Sequence, residues 1–217
     1  MAISSLNKFT VPLSTSETAS AQGLLMPKLK YRFRATFQNF GGTVGTVDLT
    51  KQVATISRPN LNMNPFVIDV YNSKINLVGK PSWEPVTVTL RDDAGNNVSK
   101  LVGAQIQKQF DFMEQASAGV GADYKFLLKF EMLDGGNGAY APNGENQGIL
   151  ETWELYGAFL SQVNYGEMDY SSSEPTMITL TVTYDNAIQT PEGTGVGTAV
   201  GRRLGEQLAS TGIQQLG

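Results

Sequence analysis

Hydrophobic and polar residues alternate with a period of two through most of the middle of the chain. This is the pattern of a β-strand with one buried and one solvated face. Because parallel sheets are usually buried on both faces, the alternation favours antiparallel pairing. The clearest predicted strands cover residues 31–37, 86–90, 126–132 and 178–184, with shorter ones at 53–57, 66–71 and 75–78 and a long one over 150–160.

One stretch changes to the helical period, with apolar residues at three- and four-residue steps. They are Val98, Leu101, Val102, Ile106, Phe110 and Met113. The spacing predicts a helix over residues 97–115, capped by the side chain of Asn96 or Asn97. The preceding residues 92–95 are predicted to form a strand-to-helix turn. The predicted fold is therefore mainly β, an antiparallel β-sandwich or barrel with one amphipathic α-helix on its flank.

The two ends of the chain differ from this middle. Residues 14–23 are small and polar, and residues 190–201 are rich in Gly and Thr, so neither has much to bury. We expect an extended N-terminal arm over residues 1–29, a β-barrel domain over 30–189, and an extended C-terminal arm over 190–217. No run approaches the roughly 20 apolar residues of a membrane-spanning helix, so we expect no membrane insertion.

The amino-acid composition narrows the possible chemistry. The chain has 217 residues with no His and no Cys, which excludes a Ser-His-Asp triad, a Cys nucleophile, a disulfide and a zinc site built from these ligands. Glu151 and Glu154 flank Trp153, in the way that glycosidase carboxylates flank an aromatic residue. Residues three apart on a strand face opposite sides, however, so an enzyme is the least favoured class. We expect no catalytic residues, cofactor or metal.

Charge is distributed unevenly along the chain. The formal net charge is only −4. Residues 1–34 nevertheless carry five bases and one acid, whereas residues 130–201 carry ten acids and no base. Tight phosphate contacts need Lys or Arg, so the acidic region is unsuited to capturing nucleic acid.

Threonine rows stand opposite the apolar rows on two predicted strands. Thr87 and Thr89 lie on one strand, and Thr179, Thr181 and Thr183 on another. A solvated sheet face rich in good β-formers accounts for these rows. The functional alternative is an uncharged pore lining, and the sequence leaves both interpretations open.

Several sequence blocks occur in a characteristic order between residues 56 and 187. They are ISRPN at 56–60, YN at 71–72, GKPSWEPVTVTL at 79–90, WELYGAF at 153–159, DY at 169–170, SE at 173–174 and the run from Thr179 to the tripeptide Asp185-Asn186-Ala187. Together they resemble the tail tube proteins of contractile-tailed bacteriophages. The resemblance covers residues 31–189 and leaves out both arms.

The resemblance implies a non-enzymatic structural subunit of the virion, assembled in the host cytoplasm and located in the phage tail. Such subunits form homo-hexameric rings around an inner β-barrel, and the rings stack into a tube inside a contractile sheath. The implied partners are the sheath, baseplate and tail terminator proteins, a tape measure protein in the lumen before ejection, and double-stranded DNA in transit, bound weakly and non-specifically. The candidate lumen-lining residues are Thr87, Thr89, Glu151, Glu154, Thr179, Thr181 and Thr183.

The Gly-rich segment 39–51 is a candidate contact between stacked rings. Its apolar residues Phe40, Val44, Val47 and Leu49 are poor choices for a free solvated loop. The alternative is an ordinary hairpin of the same domain.

Three other functions compete with the major tube subunit. The first two share its fold: a baseplate tube initiator or tail-completion protein, and the tube of a related injection machine. A more distant alternative is a carbohydrate-binding β-sandwich with Trp83 or Trp153 as a sugar platform.

Overall fold

The structure is a computed structural model that describes residues 28–42, 46–133 and 148–190. The chain divides into two compact units, Met1–Arg32 and Phe33–Gly217. In the first unit, the described residues form a turn in which the Arg32 amide donates to the Leu29 carbonyl over 3.2 Å. Nearly all of both predicted arms lies outside the described residues, so the arms stay a prediction.

The second unit is mainly β with antiparallel pairing, which confirms the predicted fold class. The strands are β1 (Phe33–Gln38), β2 (Val53–Ile56), β3 (Leu61–Val70), β4 (Ser73–Trp83), β5 (Val86–Arg91), β6 (Phe110–Asp111), β7 (Ala116–Ser117), β8 (Phe126–Leu133), β9 (Ile149–Asn164), β10 (Met177–Thr183) and β11 (Asn186–Thr190). The described helices are α1 (Thr46–Gln52), α2 (Asn97–Gln109) and α3 (Gly121–Tyr124). The structure thus adds two short helices to the one that was predicted.

Seven of these strands form two sheets that share the 16-residue strand β9, while β3 pairs with β4 and β6 with β7 in separate two-stranded sheets. The first half of β9 pairs with β8 and β11, and β1 lies beyond β8, which gives the first sheet the order β1-β8-β9-β11. The second half of β9 pairs with β10, so the second sheet has the order β9-β10-β5-β2. Between the halves, Gly157 adopts φ +66°, a conformation that side chains on L-residues disfavour.

One hydrophobic core joins inward-facing residues of both sheets with α2. The alternation predicted from the sequence decides which residues point inward. Its members include Phe37, Leu128, Phe130, Leu155, Val88, Leu180 and Val102. On α2 the amide of Gln105 is also fully buried, where it accepts from the Gly41 amide over 2.9 Å and donates to the Tyr124 carbonyl over 2.6 Å.

Helix α2 ends earlier than the sequence predicts. It stops at Gln109, and Phe110 is extended with φ −153°, so the prediction is wrong over residues 110–115. The Asp111 side chain accepts from the backbone amides of Met113 and Glu114, which closes a turn, and β6 then pairs with β7. Local side-chain hydrogen bonding of this kind competes with helix continuation.

The cap of α2 also differs from the prediction. The Asn96 side chain makes no capping bond. Instead Asp93 Oδ1 accepts from the amides of Asn97 over 2.7 Å and Val98 over 3.4 Å. Desolvation raises the pKa of Asp93, but the hydrogen bonds from Asn97 and Val98 outweigh it and hold the pKa below its ordinary value. The turn predicted at residues 92–95 is present between β5 and α2.

The segment 39–51 was predicted as a loop, and this is wrong from Thr46 onward because α1 begins there. Leu49 on α1 is fully buried, and so is Phe40 before it. The Phe40 ring packs edge-on against Phe126 at 4.9 Å between centroids and lies 5.2 Å from Phe37. In the described part of the chain, no helix is long and apolar enough to cross a membrane.

Candidate lumen face and assembly hairpin

The five threonines predicted to line a pore share one face of the second sheet. Thr87 is exposed there and the other four are half-buried, while the residues between them on β5 and β10 are buried in the core. Strand pairing aligns Thr87 with Thr181 and Thr89 with Thr179. The structure therefore brings all five together on one surface.

Neighbouring strands extend this surface with further uncharged polar residues. Thr55 on β2 pairs with Thr89, and on β9 Asn164 pairs with Thr179 and Gln162 pairs with Thr181. A row of Thr55, Thr89, Thr179 and Asn164 thus runs across four strands. We call the hydroxyl and amide surface of the second sheet, from Thr55 to Asn164, the uncharged face, and the exposed Arg91 borders it on the same side of β5.

Glu151 and Glu154 lie on opposite faces of β9, as their spacing predicts. Glu151 is buried, 1% exposed, and its Oε1 accepts from Arg58, from the Trp153 indole N–H and from Gln189. Its carboxylate therefore faces the protein interior. Arg58 belongs to the connection between β2 and β3, so this buried cluster ties that connection to β9 and β11.

Glu154 belongs to a charged network on the outer face of the first sheet. Lys129 Nζ lies 3.9 Å from Glu154 and 3.1 Å from Glu131, and Arg34 pairs with Glu131 over 2.5 Å. The Tyr156 hydroxyl donates to Glu154, and this hydrogen bond, with burial and the carboxylate charge, raises the pKa of Tyr156. The two halves of β9 thus carry outer surfaces of different chemistry, one charged and one uncharged.

The four candidate residues for contact between rings fall into two groups, two that are buried and two whose side chains are not described. Phe40 and Leu49 are fully buried in their own chain, so neither offers an exposed side chain to a neighbouring ring. Val44 lies outside the described residues, and Val47 lies on α1 with its side chain undescribed.

The two tryptophans are not exposed in the way that a sugar-binding surface would need. Trp153 is buried, and the half-buried Trp83 packs edge-on against it at 6.5 Å between ring centroids.

The hairpin of β3 and β4 is the feature that the sequence interpretation missed. Among the described residues its strands pair only with each other, and almost every residue of both is exposed. Cross-strand pairs Phe66–Leu77 and Ile68–Ile75 lie on the same side of the hairpin as Val70. These five side chains, which we call the apolar face of the hairpin, are between 41% and 50% exposed. Sequence alternation predicted both strands but carried no signal of what would cover them.

The two strands of the hairpin approach each other closely at the bulge, and the root of the hairpin contacts the rest of the second unit. Gly79 faces Asn64 at the bulge, where a Cβ would collide with the Asn64 carbonyl oxygen. At the root, the Glu84 amide donates to the Asn60 carbonyl over 3.0 Å, and the Trp83 ring lies 6.0 Å from that of Tyr184. Burial, with the nearby charge of Glu84, raises the pKa of Tyr184 to about 12.

The arrangement of two sheets with a flanking helix defines a fold that recurs in contractile injection systems. The match with a chain in the structure of the anti-feeding prophage baseplate spans 79% of this chain and 100% of the matched chain, with a TM-score of 0.53 and 11% identity. One in the tube-terminating cap of the same particle covers 77% of this chain and 93% of its own, with a TM-score of 0.53 and 15% identity.

A third similar structure is the sheath-tube complex of the PVC extracellular contractile injection system in its extended state. The matching chain covers 81% of this chain and 99% of its own, with a TM-score of 0.52 and 15% identity. At such identities the similarity shows a shared fold. No protein-family model and no curated protein matches the sequence.

Proposed function

We propose that this chain is a non-enzymatic tube subunit of a contractile phage tail. In this proposal six copies form a ring, the rings stack into a tube inside the sheath, and DNA crosses the lumen during ejection. The observation that carries the proposal is the exposed apolar face of the β3–β4 hairpin, on a fold shared with chains of contractile injection machines.

The hairpin argues for assembly because it is unsuited to remain alone in water. An isolated two-stranded hairpin is marginally stable at best. Five large apolar side chains on one side of it form the kind of contiguous patch that marks a protein interface. Burying the patch against another copy gains about 25 cal/mol for each Å² of apolar surface removed from water.

The outer strands of the described sheets supply a second reason for assembly. Within the described residues, β1 pairs only with β8, and β2 pairs only with β5. Such edges are sites for pairing with another chain, and closing a ring is one way to cover them. A head-to-tail interface of this kind closes into rings or continues into filaments.

The uncharged face is the surface we propose for the lumen. Its hydroxyl and amide groups hydrate well but offer no cation for a phosphate, and Arg91 beside them adds only one base per subunit, so DNA or a tape measure protein would slide past with little retention. Thr87, Thr89, Thr179, Thr181 and Thr183 are the proposed lining residues. Glu154, on the charged outer face, is the better acidic candidate of the two, because the Glu151 carboxylate is buried.

Electron microscopy of the purified chain tests the proposal. We expect hollow tubes with a channel wide enough for a DNA duplex, growing with protein concentration. A protein that stays monomeric over the whole accessible concentration range would contradict it. For the lumen assignment, the paired change Thr87→Lys and Thr181→Lys should slow DNA passage at low salt without shortening tubes, whereas the control Lys51→Glu, at an exposed position on α1, should change neither.

A tube terminator or initiator is the second candidate function. It is favoured by the presence of tube-cap and sheath/tube-terminator assemblies among the similar structures. A major subunit is abundant in particles and forms long tubes alone, whereas a terminator contributes one or two rings. Quantifying its copies per particle on a gel separates the two.

A further inference from the structure

We propose that the apolar face of the hairpin docks on the β9–β10 loop, residues 165–176, of a second copy of this chain in the next ring. This proposal rests on the proposed tube function and names the two surfaces that meet between rings. Two observations carry it: the positions of the two surfaces in the fold and the exposed apolar side chains of the loop.

The two surfaces lie at opposite ends of the second sheet. The hairpin leaves the sheet where Ile56 ends β2 and Val86 begins β5. The loop leaves it at the other end, where Asn164 ends β9 and Met177 pairs with Arg91. Complementary surfaces at opposite ends of one chain form a head-to-tail contact, which repeats from copy to copy and needs no second protein.

The loop presents large side chains that its own chain leaves uncovered. Met168 is 93% exposed and Tyr170 fully exposed, and Tyr165 is about half exposed. The loop is held in shape by local hydrogen bonds, since Asp169 accepts from both the amide and the hydroxyl of Ser171, at 2.9 and 2.7 Å. A preordered apolar surface loses less conformational entropy when a partner covers it.

The loop is acidic, whereas the apolar face of the hairpin carries no charge. Residues 165–176 contain Glu167, Asp169 and Glu174 and no base. On the hairpin, Lys74 pairs across the strands with Asp69, 3.6 Å away, on the side opposite the apolar face. The apolar contacts therefore supply the affinity, and no acid on the apolar face repels the loop.

A different exposed apolar cluster competes with the loop as the partner. Phe112 and Met113 follow α2 and are 62% and 94% exposed. However, Gln109 just before them hydrogen-bonds in both directions with the backbone of Leu160, and Leu160 pairs with Val182 close to the root of the hairpin. This cluster therefore lies at the hairpin end of the sheet, where it suits a contact within a ring better than one between rings.

Polar substitution of the loop tests the pairing. The double variant Met168→Ser/Tyr170→Ser should raise the protein concentration at which tubes form about tenfold or more, because it removes the apolar surface that meets the hairpin. The control Val120→Ser changes an exposed apolar residue outside both segments and should assemble normally. Tubes from the loop variant at the same concentration as from the natural protein, with the fold intact by circular dichroism, would overturn the pairing.

Cysteine cross-linking locates the contact directly, because the natural chain has no cysteine. We would mix separately tagged Tyr71→Cys and Met168→Cys proteins, assemble them and oxidise. A disulfide joining the two tags, formed in tubes and absent from dispersed protein, is the expected result. Cross-linking of Tyr71→Cys to Met113→Cys instead, or tubes without the expected disulfide, would overturn this inference and leave the tube function standing. The absence of any tubes from the unmodified protein would contradict both.

Discussion

Strands β10 and β3 each carry three large apolar residues on one face, and these faces meet opposite environments. Ile178, Leu180 and Val182 alternate with threonines on β10, and each is at most 1% exposed. Phe66, Ile68 and Val70 share one face of β3, with Val67 and Asp69 between them, and each is between 43% and 50% exposed. Alternation specifies a strand and its apolar face, but the cover for that face comes from elsewhere. On β10 the cover is the core of the chain, and for β3 we propose that it is a second copy.

The largest expected effects come from substituting one apolar residue in each strand. Leu180→Ser should lower the free energy of unfolding by about 3–5 kcal/mol, because it leaves a cavity in the core. Ile68→Ser should change that free energy by less than about 1 kcal/mol, since its side chain is half exposed. It should nevertheless prevent tube formation. Urea unfolding and electron microscopy measure the two effects.

Val67→Ser provides the matched control on the other side of the same strand. Val67 is 52% exposed but pairs with Asn76, outside the apolar face, so we expect tubes to form. Equal loss of tubes in the Val67→Ser and Ile68→Ser variants would mean that the hairpin simply tolerates no polar change. Normal tubes from Ile68→Ser would remove the hairpin from the assembly contact.

Much of the fold could be predicted because it depends on local periodicity. The strands around Val88, Leu128 and Leu180, and the helix carrying Val98 and Val102, have their apolar residues where the pattern requires them. The end of α2 could not be predicted, since Phe110 and Met113 continue the helical spacing. Its position is set by the hydrogen bonds of Asp111 to the next turn.

The candidate site was predictable to a lesser degree. The threonines could be placed on one surface because strand periodicity fixes their side, and adjacent strands then bring them together. Phe40 and Leu49 were assigned to the surface because a Gly-rich segment predicts a loop, but α1 and the aromatic contacts of Phe40 bury them. The exposure of the hairpin depends on which strands pair, and short-range sequence patterns carry little information on that.

Glu151 lies at the junction between the hairpin and the rest of the second unit, which we call the body. Its buried carboxylate tests how strongly the two are joined. Glu151→Ala should lower the free energy of unfolding by about 2–3 kcal/mol, because the buried Trp153 N–H loses its acceptor. It should also weaken tube assembly, since Arg58 then loses its tie to β9. Glu154→Ala is the control on the opposite face, with an expected loss below about 1 kcal/mol. Equal losses in thermal or urea unfolding would show that burial of Glu151 contributes nothing special.

Two glycines extend the comparison to the backbone. Gly157→Ala should cost about 1–3 kcal/mol of stability, because φ is +66° and the new Cβ would collide with the Asp185 carboxylate. Gly79→Ala meets the Asn64 carbonyl instead, so it should distort the hairpin and reduce tube length while the body unfolds at the unchanged urea midpoint. A fall in the midpoint for Gly79→Ala as large as for Gly157→Ala would show that hairpin and body unfold as one unit.

Tyr184 gives the smallest and most selective test, at the point where the hairpin root packs on the body. Its hydroxyl is buried without a hydrogen-bond partner among the described residues, so Tyr184→Phe should change stability at neutral pH by less than about 1 kcal/mol. A phenol whose pKa rises from 10.0 in the unfolded chain to about 12 in the fold contributes stability below the unfolded value that is lost as pH rises toward 12. The natural protein should therefore lose more stability than Tyr184→Phe between about pH 9 and pH 11.5, measured as the urea midpoint. Tyr170→Phe, which alters a fully exposed ring, should track the natural protein, and parallel curves for all three would mean that the hydroxyl of Tyr184 reaches solvent.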